Sequence, residues 1–173
     1  MNINFKNLSE KDLSLIYKWF KKKHVKQFYS LKNWTLEDIA KKYNPYIKNL
    51  EPIYAYIINI DDIPIGYIQY YYLKEYPFDN QNLSKDIIDK TAGIDFYIGD
   101  ENYINKGYGK KVISKFLQDI LKNKFKYCIA DPDTRNIASI KMLEKLDFKT
   151  HKMIPYKNQI GEQVLLQLMI KKI

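Results

Sequence analysis

The sequence contains little cysteine, glycine or proline, and it has no long hydrophobic run. Cys128 is the single cysteine, so neither an internal disulfide nor a cysteine-built zinc site can form, and we expect a reducing, cytoplasmic environment. With six glycines and six prolines in 173 residues, the chain shows no linker and no low-complexity tract. No apolar run approaches the ~20 residues of a membrane helix, and residues 1–12 lack a signal-peptide apolar segment. We therefore expect no membrane partner.

Arginine is almost absent as well, although the chain carries a formal net charge of +9. Of the 29 basic residues, only Arg135 is an arginine. Proteins that read nucleic acids normally use the bidentate fork of arginine, so we interpret the lysine excess as coding bias and expect no nucleic-acid partner. A basic nucleic-acid-binding module is the alternative from another class, and it predicts duplex binding that weakens steeply with salt.

The acidic residues are unevenly distributed along this basic chain. From Glu75 to Glu101, seven acids stand against two bases, Lys85 and Lys90. An acidic segment of this kind is a candidate site for a cationic ligand. A solvated acidic loop is the alternative interpretation.

The hydrophobic pattern predicts one α+β domain over residues 1–173. Apolar residues make up 46% of the chain and aromatic residues 15%, which is enough for a core. Apolar runs and alternation predict strands at 2–7, 53–60, 64–73, 92–99, 126–130, 148–156 and 163–171. Helical spacing and capping residues predict helices that begin after Ser9, near Val25, after Thr35, after Gly109 and at residue 135. The order β-α-α-β-β-β-α-β-α-β-β describes a mixed central sheet flanked by helices.

Three connections in this pattern carry specific expectations. The helix that follows Thr35 should end near Pro52. Asp61-Asp62, between two apolar segments, predicts a hairpin turn. Residues 74–90 should form a polar, acidic connection without regular structure.

Two glycines separated by a tyrosine precede the predicted long helix. A helix start offers unpaired backbone N–H groups and the positive end of the helix dipole, and Gly107 and Gly109 would let a phosphate approach those groups closely. Lys106, Lys110 and Lys111 add positive charge. The loop is neither a Walker loop nor the dinucleotide fingerprint, because the Gly-Lys-Ser/Thr sequence and the third glycine are missing. It is a candidate anion site, and a plain turn is the alternative.

Several short motifs follow one another in the second half of the chain. The loop Ile104–Gly109 precedes a long helix, the next strand ends in Asp131-Pro132, and Asn136 and Glu144–Phe148 come after it. Together with the strand order, this combination resembles the GNAT superfamily of acetyl-CoA-dependent N-acetyltransferases. The family loop begins with Gln or Arg where this chain has Ile104. The closer resemblance is to the aminoglycoside 6'-N-acetyltransferases, through Pro64–Gln69, Gly93–Asp95, Lys106–Gly109 and Asp131-Pro132.

The resemblance implies how acetyl-CoA, the expected co-substrate, would be held. Its pyrophosphate would bind the backbone N–H groups of the glycine loop, in agreement with the helix-dipole argument. Its pantetheine arm would pair with the strand before that loop, and Asn136 would lie near the same arm. A helix cap is a compatible role for Asn136. The implied cofactor-binding residues are Phe96, Tyr97, Ile98, Lys106, Gly107, Tyr108, Gly109, Lys110, Lys111 and Asn136. No metal is implied.

The resemblance also implies where the amine acceptor would bind. An alkylamine has a pKa of ~10.4, so at neutral pH a base must take its proton. Asp95 matches the carboxylate that this subfamily places in the acceptor cleft, where it would orient the amine and accept the proton directly or through water. The alternative is a buried aspartate satisfied by backbone N–H groups. The further substrate contacts that we expect are Gln69, Tyr72, Glu75, Asp79 and Asp131.

Other residues have plainer interpretations. Leu143 stands where many family members carry a tyrosine that protonates the leaving thiolate, so the general acid is not identified. Cys128 lies in an apolar strand and is expected to be a core residue rather than a nucleophile. His24 and His151 are too few and too far apart in sequence to indicate a metal site.

These observations predict an acetyl-CoA-dependent N-acetyltransferase that acts on a small polycationic amine. The resemblance implies an aminoglycoside 6'-amine as acceptor, hence antibiotic resistance, with direct attack in a ternary complex by a monomer or homodimer. A polyamine, a siderophore hydroxylamine or a protein N-terminus is the alternative acceptor. A CoA-binding regulator without activity is a further alternative, prompted by Leu143 and Ile104.

Overall fold

Seven strands form one mixed sheet in the computed structural model, which describes residues 1–78 and 80–173. The strands are β1 Ile3–Asn7, β2 Ile53–Ile60, β3 Ile63–Tyr72, β4 Thr91–Ile98, β5 Tyr127–Ala130, β6 Lys149–Lys157 and β7 Gln163–Lys172. Their order in the sheet is β1-β2-β3-β4-β5-β7-β6. The predicted α+β class with a mixed sheet is confirmed.

The helices lie between the strands in the predicted order, with one addition. They are α1 Leu13–Phe20, α2 Lys23–Lys26, α3 Leu36–Ile47, α4 Lys85–Asp89, α5 Tyr108–Phe116 and α6 Ile137–Glu144. A π-helical turn, Leu117–Leu121, continues α5. The short helix α4 lies in the segment that the sequence pattern assigned to an irregular connection. It forms because Ser84 caps its start and because Lys85–Asp89 and Lys90–Asp86 pair one turn apart.

The chain divides into two compact units, Met1–Tyr70 with Asp95–Tyr108 and Tyr71–Ile94 with Gly109–Ile173. The core of the first unit is rich in large aromatic side chains. Its buried members are Leu8, Leu13, Ile16, Trp19, Phe20, Val25, Ile39, Tyr43, Ile57, Tyr67 and Tyr97. This core packs α1 and α3 together and brings several tyrosines toward one another.

Two capping boxes start the helical part of the first unit. Asp12 accepts hydrogen bonds from both the backbone N–H and the hydroxyl of Ser9, and Asp38 does the same for Thr35. Helix α3 ends at Ile47, five residues before the predicted limit at Pro52. It ends there because Asn49 adopts a left-handed conformation (φ 53°), which closes a helix.

The predicted hairpin between β2 and β3 is present. Asp61 and Asp62 both have positive φ, 47° and 64°, which is the geometry of the two-residue turn that matches strand twist. The Asp61 carboxylate also accepts a hydrogen bond of 2.7 Å from the backbone N–H of Asn2, so the turn is tied to the start of β1.

The second unit contains the parallel pair of the sheet. Strand β4 pairs with β5 in parallel from Thr91 to Gly93. Leu73, Ile129, Ile154 and Leu168 form a buried cluster there, and Cys128 is fully buried beside Ile129, which confirms it as a core residue. Within the described part of the chain, no helix is long and apolar enough to cross a membrane.

Candidate active site

Asp95 is held by a side-chain relay in the first unit. The Nε2 amide of Gln69 donates a hydrogen bond of 2.8 Å to Oδ2 of Asp95, and the hydroxyl of Tyr67 donates one of 2.5 Å to Oε1 of Gln69. Tyr67 and Gln69 are two residues apart on β3, so they project from the same face of that strand. The relay fixes the orientation of the Gln69 amide, and the amide in turn fixes one oxygen of the Asp95 carboxylate.

The surroundings of Asp95 favour a stronger base than a surface aspartate. Burial raises the pKa of Asp95 above its ordinary value, while the hydrogen bond from Gln69 and the positive charge of Lys42 act in the opposite direction. The hydrogen bond that the structure gives Asp95 comes from a side chain. The catalytic role of Asp95 stays a prediction.

Four tyrosines, Tyr29, Tyr43, Tyr67 and Tyr97, pack against one another, and Tyr67 is linked to Asp95 through Gln69. We call them the tyrosine cluster. The ring centroids of Tyr29 and Tyr97 are 4.5 Å apart, those of Tyr43 and Tyr67 are 5.4 Å apart, and those of Tyr67 and Tyr97 are 5.6 Å apart. Burial raises the pKa of all four hydroxyls, and the Asp95 charge adds to the rise for Tyr29, Tyr43 and Tyr67. The cluster therefore stays neutral at physiological pH and can only donate or accept hydrogen bonds.

Three buried polar atoms at this cluster have no hydrogen-bond partner among the described residues: the hydroxyls of Tyr43 and Tyr97 and Nε1 of Trp34. Buried donors are rarely left unpaired. The Tyr97 side chain lies two residues along β4 from Asp95, on the same face of the strand. A polar ligand or water at Asp95 would supply the missing partner.

Lys42 places a positive charge at the same cluster. Its ammonium nitrogen is 5.3 Å from the ring centroid of Trp34, 5.4 Å from that of Tyr43 and 5.8 Å from that of Tyr29. These distances lie within the range of cation–π attraction. The structure thus presents an alkylammonium group surrounded by aromatic faces and influenced by the Asp95 carboxylate.

The glycine loop has the backbone conformation that an anion site at a helix start requires. Gly107 has φ +79° and precedes α5 directly. A Cβ built on Gly107 would meet no described atom within 4 Å, so the space beside the loop is open. Lys106, Lys110 and Lys111 are exposed around it. The cofactor-binding residues of this loop stay a prediction, and their geometry fits a phosphate.

The last residues of β4, which precede the glycine loop, have no partner on the side of the strand that pairs with β5. Pairing of β4 with β5 covers Thr91–Gly93, so Phe96, Tyr97 and Ile98 lie past its last paired residue. The carbonyl of Ile98 is engaged by the ring nitrogen Nε2 of His24 at 2.9 Å. A pantetheine arm that pairs with this strand would therefore find that carbonyl already bonded.

The predicted residues of the second unit occupy the start of α6 and the end of β5. The carboxamide oxygen of Asn136 accepts a hydrogen bond of 3.2 Å from the N–H of Ser139, so its role as a helix cap is confirmed. Asp131 is half-buried directly after β5. Neither observation tests their predicted ligand contacts, which stay predictions.

Tyr72 and Glu75, two of the predicted acceptor contacts, contact other residues of the second unit. The ring of Tyr72 contacts that of Phe125 at 4.8 Å, within the second unit. Glu75 is exposed beside Lys74, at 3.9 Å between nitrogen and oxygen. Asp79 lies outside the described residues. These assignments stay predictions. Conversely, Tyr29, Lys42, Tyr43 and Tyr67 were not predicted as site residues.

A surface pocket next to Trp34 is a poor place for a polycation. It is lined by Phe20, Lys21, Lys26, Lys32, Asn33 and Trp34. Three lysines in one small pocket repel positive charge. The Asp95 carboxylate therefore marks the better amine site. Among the described residues, no group of three or more acidic, histidine or cysteine side chains could hold a metal.

The fold, the glycine loop at a helix start and the half-buried Asp95 carboxylate fit an acetyltransferase. The chain belongs to the GNAT acetyltransferase domain family, whose model matches residues 9–156. Enzymes of this family are acetyl-CoA-dependent N-acetyltransferases, as the motifs implied.

Two relatives and two similar solved structures are aminoglycoside acetyltransferases. Two type 1 aminoglycoside N(6')-acetyltransferases, from Klebsiella pneumoniae and Serratia marcescens, are each 24% identical over 152 residues, which span 86% of this chain and 74% of the relative. The structure of the aminoglycoside acetyltransferase AAC(6')-Ib with coenzyme A and kanamycin has a TM-score of 0.79 at 21% identity and covers 99% of this chain and 95% of its own. An aminoglycoside N(6')-acetyltransferase from Legionella pneumophila has a TM-score of 0.78 at 16% identity and covers 99% and 94%.

Proposed function

We propose that the chain transfers the acetyl group of acetyl-CoA to a primary amine of an aminoglycoside, the 6'-amine. The observation that carries this proposal is the Asp95 carboxylate, positioned by Gln69 and linked through it to the tyrosine cluster, against whose rings the alkylammonium of Lys42 lies. A site that accommodates one alkylammonium has the chemistry to bind another. The relatives that match this chain are named for that reaction.

The residues present suit acetyl-CoA, which supplies an acetyl group activated as a thioester. The start of α5 offers unpaired N–H groups, and Gly107 leaves open space beside them. The exposed lysines of the loop add positive charge for the phosphates. On the side of β4 that pairs with β5, the residues after Gly93 offer backbone groups to an extended arm.

Asp95 has two successive roles at the amine. In the first, its carboxylate binds the substrate ammonium and orients it. In the second, it takes one proton from the bound ammonium, and the resulting neutral amine attacks the thioester carbon. The carbon–sulfur bond breaks, CoA leaves as the thiolate, and the second proton lost from the nitrogen passes through solvent to that thiolate. The first role stabilises the ammonium and so opposes the second. Burial, which raises the pKa of Asp95, eases this conflict because a carboxylate with a higher pKa accepts a proton more readily.

The acidic segment is expected to form a negative rim for a polycation, although several of its charges are already paired. Asp86 and Asp89 pair with the two lysines of α4, and Glu101 pairs with Lys22 at 3.4 Å. Exposed pairs of this kind contribute only about 0.2–1 kcal/mol each. The half-buried Asp95 is therefore the main anchor for a substrate ammonium, and the rim adds to it weakly.

The proposal is tested by following thiol release from acetyl-CoA with three acceptors. An aminoglycoside with a 6'-amine should be acetylated, whereas one with a 6'-hydroxyl and spermidine should not. Mass spectrometry and NMR of the product should place the acetyl group on the 6'-nitrogen. Activity with spermidine alone would assign the site to polyamines, and activity with neither antibiotic would refute the aminoglycoside assignment.

A further inference from the structure

The pocket beside Trp34 lies within the first unit and has a volume of about 170 Å³. Phe20 and Trp34 give it apolar walls, and the centroids of their rings are 5.3 Å apart. The remaining lining residues are Lys21, Lys26, Lys32 and Asn33, and we call the site the lysine pocket. Among the described residues, no acid lines it. The volume is large enough for several water molecules or for one small ligand.

Each of the three lysines is held in place by a neutral group. The ammonium of Lys26 donates a hydrogen bond of 2.8 Å to Oδ1 of Asn33. The ammonium of Lys32 is 4.2 Å from the ring centroid of Trp34, and that of Lys21 is 4.0 Å from the centroid of a tyrosine ring on α1. Within the part of the chain that the structure describes, none of the three forms an ion pair with a carboxylate. Their positions are therefore fixed while their charges stay uncompensated.

The charges near the pocket are mostly of the same sign. The ammonium of Lys42 lies 5.3 Å from the ring centroid of Trp34, so it adds a further positive charge. Hydrogen bonds from Thr35 and, less strongly, the charge of Lys32 lower the pKa of Asp38. That carboxylate accepts from the backbone N–H and the hydroxyl of Thr35 at the start of α3. A concave surface with charge of one sign and apolar walls concentrates counter-ions.

We propose that the lysine pocket binds a small oxyanion of the phosphate or sulfate class. The pocket offers ammonium donors, and the carboxamide oxygen of Asn33 already accepts from Lys26. A negatively charged ligand that only accepts hydrogen bonds matches such a lining, because its several oxygens can bridge more than one ammonium. The inference does not depend on the proposed function, since neither Asp95 nor the glycine loop lines this pocket.

The walls of the pocket distinguish two sources of such an oxyanion. Phe20 and Trp34 present aromatic carbon beside the lysines. A phosphate carried by an aromatic molecule would bury apolar surface against these rings, which favours binding. A free inorganic anion would use the lysines alone.

The test follows the indole N–H signals of the full-length, 15N-labelled protein by NMR. The chain has two tryptophans, Trp19 and Trp34, and Trp34→Phe assigns their signals. The protein is titrated with sodium phosphate and, separately, with phenyl phosphate. Sodium chloride holds the ionic strength constant in both titrations and serves alone as the reference, because exposed charges are screened by any salt.

Three variants each remove one charge from the pocket: Lys21→Gln, Lys26→Gln and Lys32→Gln. Lys23→Gln is the matched control, because Lys23 is exposed on α2, the helix that carries Lys26, and does not line the pocket. It lowers the net charge of the protein by the same amount. Circular dichroism verifies that each variant folds, and three separate positions keep the test available if one of them does not.

Phosphate should shift the Trp34 signal of wild type saturably and leave that of Trp19 in place. Each pocket variant should weaken phosphate binding about fivefold or more, because a hydrogen bond between charged groups is lost, and Lys23→Gln should match wild type. Tighter binding of phenyl phosphate than of phosphate would assign the site to an organic phosphate, and equal binding to a free oxyanion. A shift that sodium chloride reproduces, or equal affinities in the pocket variants and Lys23→Gln, would overturn the inference.

Discussion

At the scale of single residues, the surroundings of Asp95 decide what its carboxylate can do. An aspartate inside an apolar strand is costly unless something compensates its burial. Here Gln69 donates to one oxygen, and Lys42 supplies an opposite charge. The second carboxylate oxygen is left for a ligand, which is the arrangement that an ammonium-binding base requires.

The relay from Tyr67 through Gln69 predicts a shift in the pH dependence of activity. Asp95 must be ionised to bind the ammonium, and donation from Gln69 favours the ionised form. Gln69→Leu removes that donation, so the pKa of Asp95 rises further and the acid-side fall of kcat/KM should move to higher pH. At neutral pH, kcat/KM should drop roughly tenfold, since a hydrogen bond to a charged group is lost.

Tyr67→Phe should produce a smaller shift in the same direction, because it frees the Gln69 amide to rotate. Tyr70→Phe is the matched control, since this buried tyrosine stacks on Tyr54 at 4.7 Å and, one residue on from Gln69, projects from the opposite face of the strand. A pH profile of Gln69→Leu that coincides with that of wild type would show that the relay does not tune Asp95.

The residue-level site could be predicted from the sequence only in part. Asp95 and Gln69 were singled out by the motifs they belong to, and the structure joins them by a hydrogen bond. Lys42 and Tyr43 lie more than fifty residues earlier, on a helix whose spacing indicated a core face and nothing more. Their position among the aromatic rings depends on how α3 packs in the first unit, and no local pattern encodes that packing.

At the scale of secondary-structure elements, the start of α5 carries the prediction for acetyl-CoA. Gly107 has a positive φ that side chains with a Cβ adopt only with strain of about 1–3 kcal/mol. Gly107→Val should lower stability by that amount and weaken acetyl-CoA binding at least tenfold, because its side chain would fill the open space that a phosphate needs.

Gly161 offers a matched control for the strain alone. It has a φ of +82° in the turn between β6 and β7, where the N–H of Gly161 donates to the carbonyl of Asn158. Gly161→Val should lose similar stability in thermal unfolding and keep normal acetyl-CoA affinity by calorimetry. If Gly107→Val binds acetyl-CoA as wild type does, the loop is a turn and not the phosphate site.

Most helices and strands could be predicted because the residues that indicate their starts, turns and ends are close together in sequence. Capping boxes at Ser9 and Thr35 and the Asp61-Asp62 turn act within four residues, and all three are present. The end of α3 was predicted too late because Asn49, rather than a glycine or proline, closes the helix. The helix α4 was missed because it buries no residue, and apolar spacing therefore gave no signal for it.

At the scale of the whole molecule, the distribution of charge bears on how a polycation is attracted to the site. The chain is basic overall, yet the acidic residues from Glu75 to Glu101 are concentrated in one segment. The structure pairs several of them with lysines, so the segment is less negative in effect than its composition indicates. In the proposed function, binding of a polycation then depends on the half-buried Asp95 more than on the negative charge of the surface.

The measurement that tests this account most directly compares wild type with Asp95→Asn. The turnover of a 6'-amine aminoglycoside should fall by at least about tenfold, because the proton acceptor is gone, while the dissociation constant for acetyl-CoA stays the same. Asp119→Asn, at an exposed carboxylate paired with Lys115 at 2.7 Å, should retain full turnover as a control. Turnover by Asp95→Asn equal to that of wild type would contradict the account, because Asp95 would then have no part in acetyl transfer.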